Sequence, residues 1–144
     1  MPKSTTYCND LMKLLFNATA IANIADNAAA SPLTNLYLSL HTADPGIGGA
    51  QTTNETSYTN YVRIPVARTS GGWTVTSNSA ANTALAQFAQ CGASGATITH
   101  VAIGTTASPG AGKVLYAGAL NSSLAVANGI QPQFAASALT ATET

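Results

Sequence analysis

The sequence predicts a mainly β chain, an antiparallel, jelly-roll-like β-sandwich with an N-terminal α-helix. Three observations carry that prediction. Apolar residues recur at helical spacing only within residues 1–30, short segments from Leu33 onward alternate apolar with polar residues, and Gly, Pro, Asn and Asp clusters separate those segments. About eight short strands at such spacing suit two packed sheets, and no strand–helix alternation of a parallel sheet is visible. The chain reads as a single domain over 1–144, with a helical segment at 1–30 and the sandwich at 33–144.

Leu11, Leu14, Leu15, Ala18, Ala22 and Ala25 follow i, i+3, i+4, i+7 spacing and predict one helix. Ser4, Thr5 or Thr6 can cap its start, Asp10 lies near its positive end, and Ser31-Pro32 ends it. Phe16, Ile21 and Ile24 fall off the stripe and widen the apolar surface, so the helix should meet something on two sides, its own sheet or a neighbouring copy. Leu36, Leu38 and Leu40 then alternate with Tyr37, Ser39 and His41 as a half-buried strand requires. Asp44-Pro45-Gly46 turns the chain into a polar loop running to Tyr58. Val62, Ile64 and Val66 form the next strand, which Pro65 marks as an edge or bulged strand. Ser70-Gly71-Gly72-Trp73 should join it as a hairpin to Thr74-Val75-Thr76. Further strands are predicted near residues 84–90, 97–104, 113–119, 123–127, 130–134 and 138–142, with Asn128-Gly129 as the strongest hairpin signal.

The chain has 144 residues, five Lys plus Arg and five Asp plus Glu; 46% of it is apolar and 7% charged. A domain of this size buries about two thirds of its unfolded surface, so it needs neither metal nor disulfide staples. Five scattered cations cannot build a phosphate-binding patch, which excludes nucleic acid as a partner. Lys13, Asn17, Asn23 and Asp26 interrupt the most apolar early stretch, which excludes a membrane span there, and the N-terminus lacks the pattern of a secretory signal, so synthesis should end in the cytoplasm. Cys8 and Cys91 have no metal or disulfide-framework spacing and read as buried thiols.

Catalytic chemistry finds little to work with. His41 lies close to Asp44 but reads as a hydrogen-bonded structural residue, and His100 as a satisfied core or interface histidine. No serine occupies a G-x-S-x-G elbow, and Asp44 with Glu55 is the one conceivable carboxylate pair for glycosidase chemistry. Pro109-Gly110-Ala111-Gly112-Lys113 departs from a phosphate loop because Val114 follows the lysine. No enzyme activity, cofactor or metal is therefore predicted. Arg63 and Arg68 read either as solvated edge-strand cations or as contacts to Asp44 or Glu55 of a neighbouring subunit. Trp73 with Tyr37, Tyr58 and Tyr61 offers either core packing or a sugar-stacking platform.

The run Leu36-Tyr37-Leu38-Ser39-Leu40-His41-Thr42-Ala43-Asp44-Pro45-Gly46, followed by Thr53-Asn54-Glu55-Thr56-Ser57-Tyr58-Thr59-Asn60-Tyr61-Val62-Arg63, resembles a family of small tailed-bacteriophage virion proteins often labelled tail fibre proteins. Val66-Ala67-Arg68, Gly71-Gly72-Trp73-Thr74-Val75, Ile103-Gly104-Thr105, Leu115-Tyr116-Ala117-Gly118-Ala119-Leu120 and Gly129-Ile130-Gln131-Pro132 extend the resemblance over most of the chain. It implies a structural virion component made in the host cytoplasm, without catalysis. A compact sandwich of this length is too short for a long fibre. That favours an oligomeric subunit, dimer or trimer, which decorates and cements the capsid through the major capsid protein. The alternative is a tail or fibre-tip subunit that touches tail proteins or host glycans. Docking is assigned to Leu11, Leu14, Leu15 and Phe16 of the helix and to the loop carrying Asp44, Glu55, Tyr58 and Tyr61, with Arg63 and Arg68 as charge contacts.

Overall fold

In the computed structural model, which describes residues 3–25 and 31–144, the chain is mainly β, with antiparallel sheets and one N-terminal helix. The helix α1 spans Thr5–Asn17. The strands are β1 (Asn35–His41), β2 (Ile64–Ala67), β3 (Trp73–Thr76), β4 (Ser79–Asn82), β5 (Ala86–Gln87), β6 (Ala96–Gly104), β7 (Val114–Val126), β8 (Gln133–Phe134) and β9 (Thr140–Thr142). They form sheets ordered β2-β1-β6-β7, β3-β4-β9 and β5-β8. The chain divides into two compact units, one of Met1–Asn35, Val66–Ala86 and Phe134–Thr144, the other of Leu36–Pro65 and Gln87–Gln133.

In the first unit Ser4 caps α1, its hydroxyl accepting from the Tyr7 amide at 3.2 Å. The helix buries Cys8, Met12 and Phe16, spaced i, i+4, i+8, and leaves Leu11, Leu14 and Leu15 half-buried. This corrects the expected stripe. The face is chosen by Trp73, fully buried, whose ring meets Phe16 edge-on at 4.8 Å and 65°, a favoured aromatic geometry. The helix is also shorter than its apolar spacing suggests. It ends at Asn17, Ala18 turns left-handed at φ 52°, and Ile21 bridges to Ala25; residues 26–30 of the expected helix lie outside the described residues.

β3 and β4 form a tight hairpin with Thr76 opposite Ser79, and Ser77 supplies the positive φ, 56°, that such two-residue turns need. The expected hairpin from β2 into β3 is therefore absent: the Ser70–Trp73 turn exists, but β2 joins β1 and β3 joins β4. Asn82 ties this sheet to the C-terminal segment. Its side-chain amide donates to the Ala84 and Ala135 carbonyls, each at 2.8 Å, and its oxygen accepts from the Leu139 amide at 2.9 Å. Its own amide and carbonyl pair with Leu139 and Ser137. A buried side chain with every polar group matched holds the chain where repetitive structure does not.

In the second unit β1 lies between β2 and β6, with Tyr37 opposite Gly104 and His41 opposite His100. Leu36, Leu38 and Leu40 are buried, but so are Ser39 and His41, so the strand expected to be half-buried is covered on both faces over its second half. Phe88, Cys91, Ile98 and Ala102 complete this core. Both cysteines are buried and free. The segments predicted at 113–119 and 123–127 are one strand, β7. Between the pairs Ile98↔Leu124 and His100↔Ala119, residues Leu120 to Ser123 face Thr99 alone, a wide irregularity that bows the strand outward. Asn128-Gly129 does make a turn, Ile130 N donating to Ala127 O at 2.9 Å, but β7 and β8 enter different sheets and no hairpin results.

Replacing Asn82 with Ala strands the Leu139 amide and two carbonyls in the interior and should cost about 2–4 kcal/mol, whereas Asn121→Ala on exposed β7 should change stability by less than about 0.5 kcal/mol. Urea unfolding of the two variants checks this.

Candidate functional site

The polar residues that sequence reasoning singled out converge in the second unit, beside the end of β1. The chain leaves His41, runs outward through Asp44, and returns so that Glu55 bridges to His41, with Thr42 N donating to Asn54 O at 2.9 Å and Thr56 N to Leu40 O at 2.9 Å. The segment predicted as a polar surface loop is thus an extension of the sheet edge, with Gln51, Thr56 and Tyr58 buried. Gln51 lies against Gly104 and Gly112. A Cβ at either glycine would stand 2.0 or 2.3 Å from the glutamine side chain, so both positions need a bare backbone.

Glu55 and Arg63 form a bidentate pair inside this fold: Nε donates to Oε1 and Nη2 to Oε2, each at 2.7 Å, with the side chains 13% and 1% exposed. Arg63 Nη1 also donates to the Thr106 and Ala107 carbonyls at 2.9 and 3.3 Å, and its amide donates to Ser108 Oγ at 3.0 Å. The Tyr61 hydroxyl donates to Glu55 Oε1 at 2.8 Å and accepts from Leu40 N at 3.0 Å. The Tyr61 ring lies edge-on to Tyr58 at 5.3 Å and stacks on Phe88 at 6.2 Å. Burial drives both phenols up, Tyr58 to about 12, and the Glu55 carboxylate raises the Arg63 guanidinium above its ordinary value. Neither reading of Arg63 as a solvated cation or a neighbour's partner survives, because its carboxylate is in its own chain.

A second buried cluster lies on the opposite face of β1 from the leucines. His41 Nδ1 donates to Thr53 O at 2.9 Å, so Nε2 is the acceptor for the Ser39 hydroxyl at 2.9 Å. Desolvation holds this imidazole below 6.5; Arg63 and His100 push the same way, while the Thr53 carbonyl and Glu55 oppose them. Ser39 and His41 are fully buried, so this serine–histidine contact is closed to solvent. Asp44, the other conceivable acid, is exposed and accepts from Gly46 N at 2.8 Å as a turn-forming side chain. Among the described residues no three His, Cys, Asp or Glu side chains converge as a metal site would need.

The remaining candidates are in the first unit. Arg68 caps the C-terminus of α1: Nε and Nη2 donate to the Leu15 and Leu14 carbonyls, and Nη1 to Leu33 O, all at 2.7 Å, while burial pulls its pKa down. The helix carries no basic residue in its own last turn, so Arg68 supplies the missing positive charge. Phe16 and Trp73 are fully buried, which removes Phe16 from docking and Trp73 from any sugar platform; Tyr58 is buried as well. Sequence reasoning missed Ser39, Gln51, Thr53 and Thr106. The one available signal was the pair of bare glycines, Gly104 and Gly112, that clear space for Gln51.

Comparison with protein families matches residues 3–142 to the family described as Podophage GP4 fiber I protein gp80. The chain belongs to this family. It is a phage fibre-type virion protein family, in line with the resemblance carried by the Leu36–Gly46 and Thr53–Arg63 runs. No curated protein matches the chain. No helix among the described residues is long and apolar enough to cross a membrane.

Two outcomes follow for this fibre-family chain. Arg63→Met leaves a buried carboxylate unpaired and should destabilise by about 3–5 kcal/mol, while the double variant Glu55→Leu/Arg63→Met should lose clearly less than the two single losses combined; a denaturant double-mutant cycle measures both. Because His41 titrates lower in the folded chain than unfolded, the unfolded chain takes up the proton first as pH falls through 6.5. Stability should therefore decline below that pH, and His41→Gln should lessen that decline in unfolding curves taken on either side of it.

Proposed function

We propose that the protein is a non-catalytic structural subunit of a phage virion fibre and works as an assembled oligomer. The observation that carries this reading is the family match over nearly the whole chain. The geometry supports it from the other side. The Glu55–Arg63 pair, Arg68 and the Ser39–His41 contact are committed to holding segments in place, and the chain's charge-poor composition suits close, salt-resistant contact between largely neutral protein surfaces.

A second reading keeps the same subunit but seats it on the coat as a decoration that cements neighbouring capsid proteins. The 7% charged composition favours this, since a neutral, Thr- and Ser-rich surface makes many hydrogen bonds with a repeating lattice. Imaging intact particles at side-chain resolution tests both. Density for the chain in a projecting fibre is the expected result, density spread over the capsid surface selects the decoration reading, and particles that contain no copy overturn both. Under the decoration reading, particles assembled without the chain should lose resistance to heat and osmotic shock; under the fibre reading that resistance should be unchanged.

A further inference from the structure

Tyr37, Ser39 and His41 share one face of β1, and the β1–β6 register sets Gly104, Ala102 and His100 opposite them on that face. The His41–Glu55 bridge and the His100–Ala119 pair extend the last row, so Glu55, His41, His100 and Ala119 lie side by side across the sheet. Residues 42–54 cover this face as a flap. Thr53 O accepts from His41 Nδ1, the Gln51 side chain lies against Gly104, Gln51 N donates to Gly112 O at 2.8 Å, and Ala50 bridges to Lys113. The flap leaves β1 at one end and reaches Glu55, held by Arg63, at the other. Gln51 is fully buried, yet its Nε2 has no hydrogen-bond partner among the described residues. Lifting the flap would give that amide water, so its closure is the least satisfied part of this polar cluster.

From this arrangement we propose that the flap is a proton-operated latch: protonation of His41, with His100 facing it, frees residues 42–54 from the sheet while β6 and the Glu55–Arg63 pair stay in place. Nδ1 of His41 already carries a hydrogen, so the added proton goes to Nε2. The Ser39 hydroxyl, which donates there now, would have to turn its own hydrogen away inside a site closed to solvent. Glu55 is the carboxylate that faces the ring, and Arg63 and Tyr61 already hold its two oxygens. Arg63 and a charged His100 both oppose a charged His41, Ala119 on β7 is neutral, and Asp44 and Lys113 are exposed. The Thr53 carbonyl favours the charged ring, but burial outweighs it, so the closed flap holds the imidazole below 6.5 and an open one releases it. The closed form is thus fully favoured above 6.5 and loses ground as pH falls below it. The latch acts within one chain and needs no particular place in the virion.

Hydrogen–deuterium exchange of the full chain, corrected for the intrinsic pH dependence of exchange, tests this. One proton taken up at 6.5 raises the open fraction by at most about 30-fold between about pH 7.5 and about pH 5. Exchange within residues 42–54 should therefore speed up by about tenfold or more while β6 keeps its protection. His41→Gln should exchange alike at both pH values. The double variant Ala50→Cys/Lys113→Cys, oxidised across the existing bridge, should hold the flap shut and remove the acceleration, and reduction should restore it, so the test survives if His41→Gln does not fold. Equal exchange of residues 42–54 at both pH values in the unaltered chain overturns the latch. So does acceleration that β6 shares, which is global unfolding, or acceleration that persists in His41→Gln or in the oxidised double variant.

Discussion

The second unit depends on one buried ion pair. Glu55 and Arg63 are eight residues apart in sequence, and the chain between them has no repetitive structure to hold it. A guanidinium out of water is tolerable only when nearly all its donors are matched, and here a carboxylate takes two of them while the Thr106 and Ala107 carbonyls take others. The pair therefore draws together the return segment after the Asp44 turn, the stretch following β6, and through Tyr61 the Leu40 amide of β1. Removing either partner would leave a charge in a site already sealed against solvent, so the network is cooperative in the sense that each bond keeps the others dry.

The first unit solves the same problem with neutral groups and one borrowed cation. Asn82 matches five polar groups with its backbone and side chain, and Arg68 completes the end of α1 from a residue far along the chain. A composition poor in charge leaves few such devices, and Glu55, Arg63 and Arg68 are spent on holding the chain's own segments together. That economy is why Glu55, Arg63 and Phe16, read from sequence as surface contacts, proved internal, and why an open contact surface is to be sought among uncharged residues such as the fully exposed Ile47. For a subunit of a virion, neutral contacts have the physical merit of insensitivity to the ionic strength the particle meets outside its host.

Local patterns were legible in the sequence wherever the cause was local. Alternation at Leu36, Leu38 and Leu40 marked β1, Pro65 marked an edge, Thr97 to Gly104 marked most of β6, and Ser4 was among the residues able to cap α1, because each signal is a preference of a few consecutive residues for one backbone state. The mainly β class with one N-terminal helix followed from the same information.

Tertiary structure decided the rest. Which face α1 buries was set by Trp73, and where the helix stops is matched by carbonyl contacts from Arg68, 53 residues away from Leu15. Whether Ser70–Trp73 and Asn128-Gly129 closed hairpins depended on which sheets the flanking strands joined, and turn chemistry carries no information about that. The candidate site divided along the same line: the residue types at Glu55, Tyr61 and Arg63 could be picked out in sequence, but their mutual pairing could not. An ion pair forms inward or outward according to whether the surrounding chain excludes water, and that exclusion is a property of the folded whole.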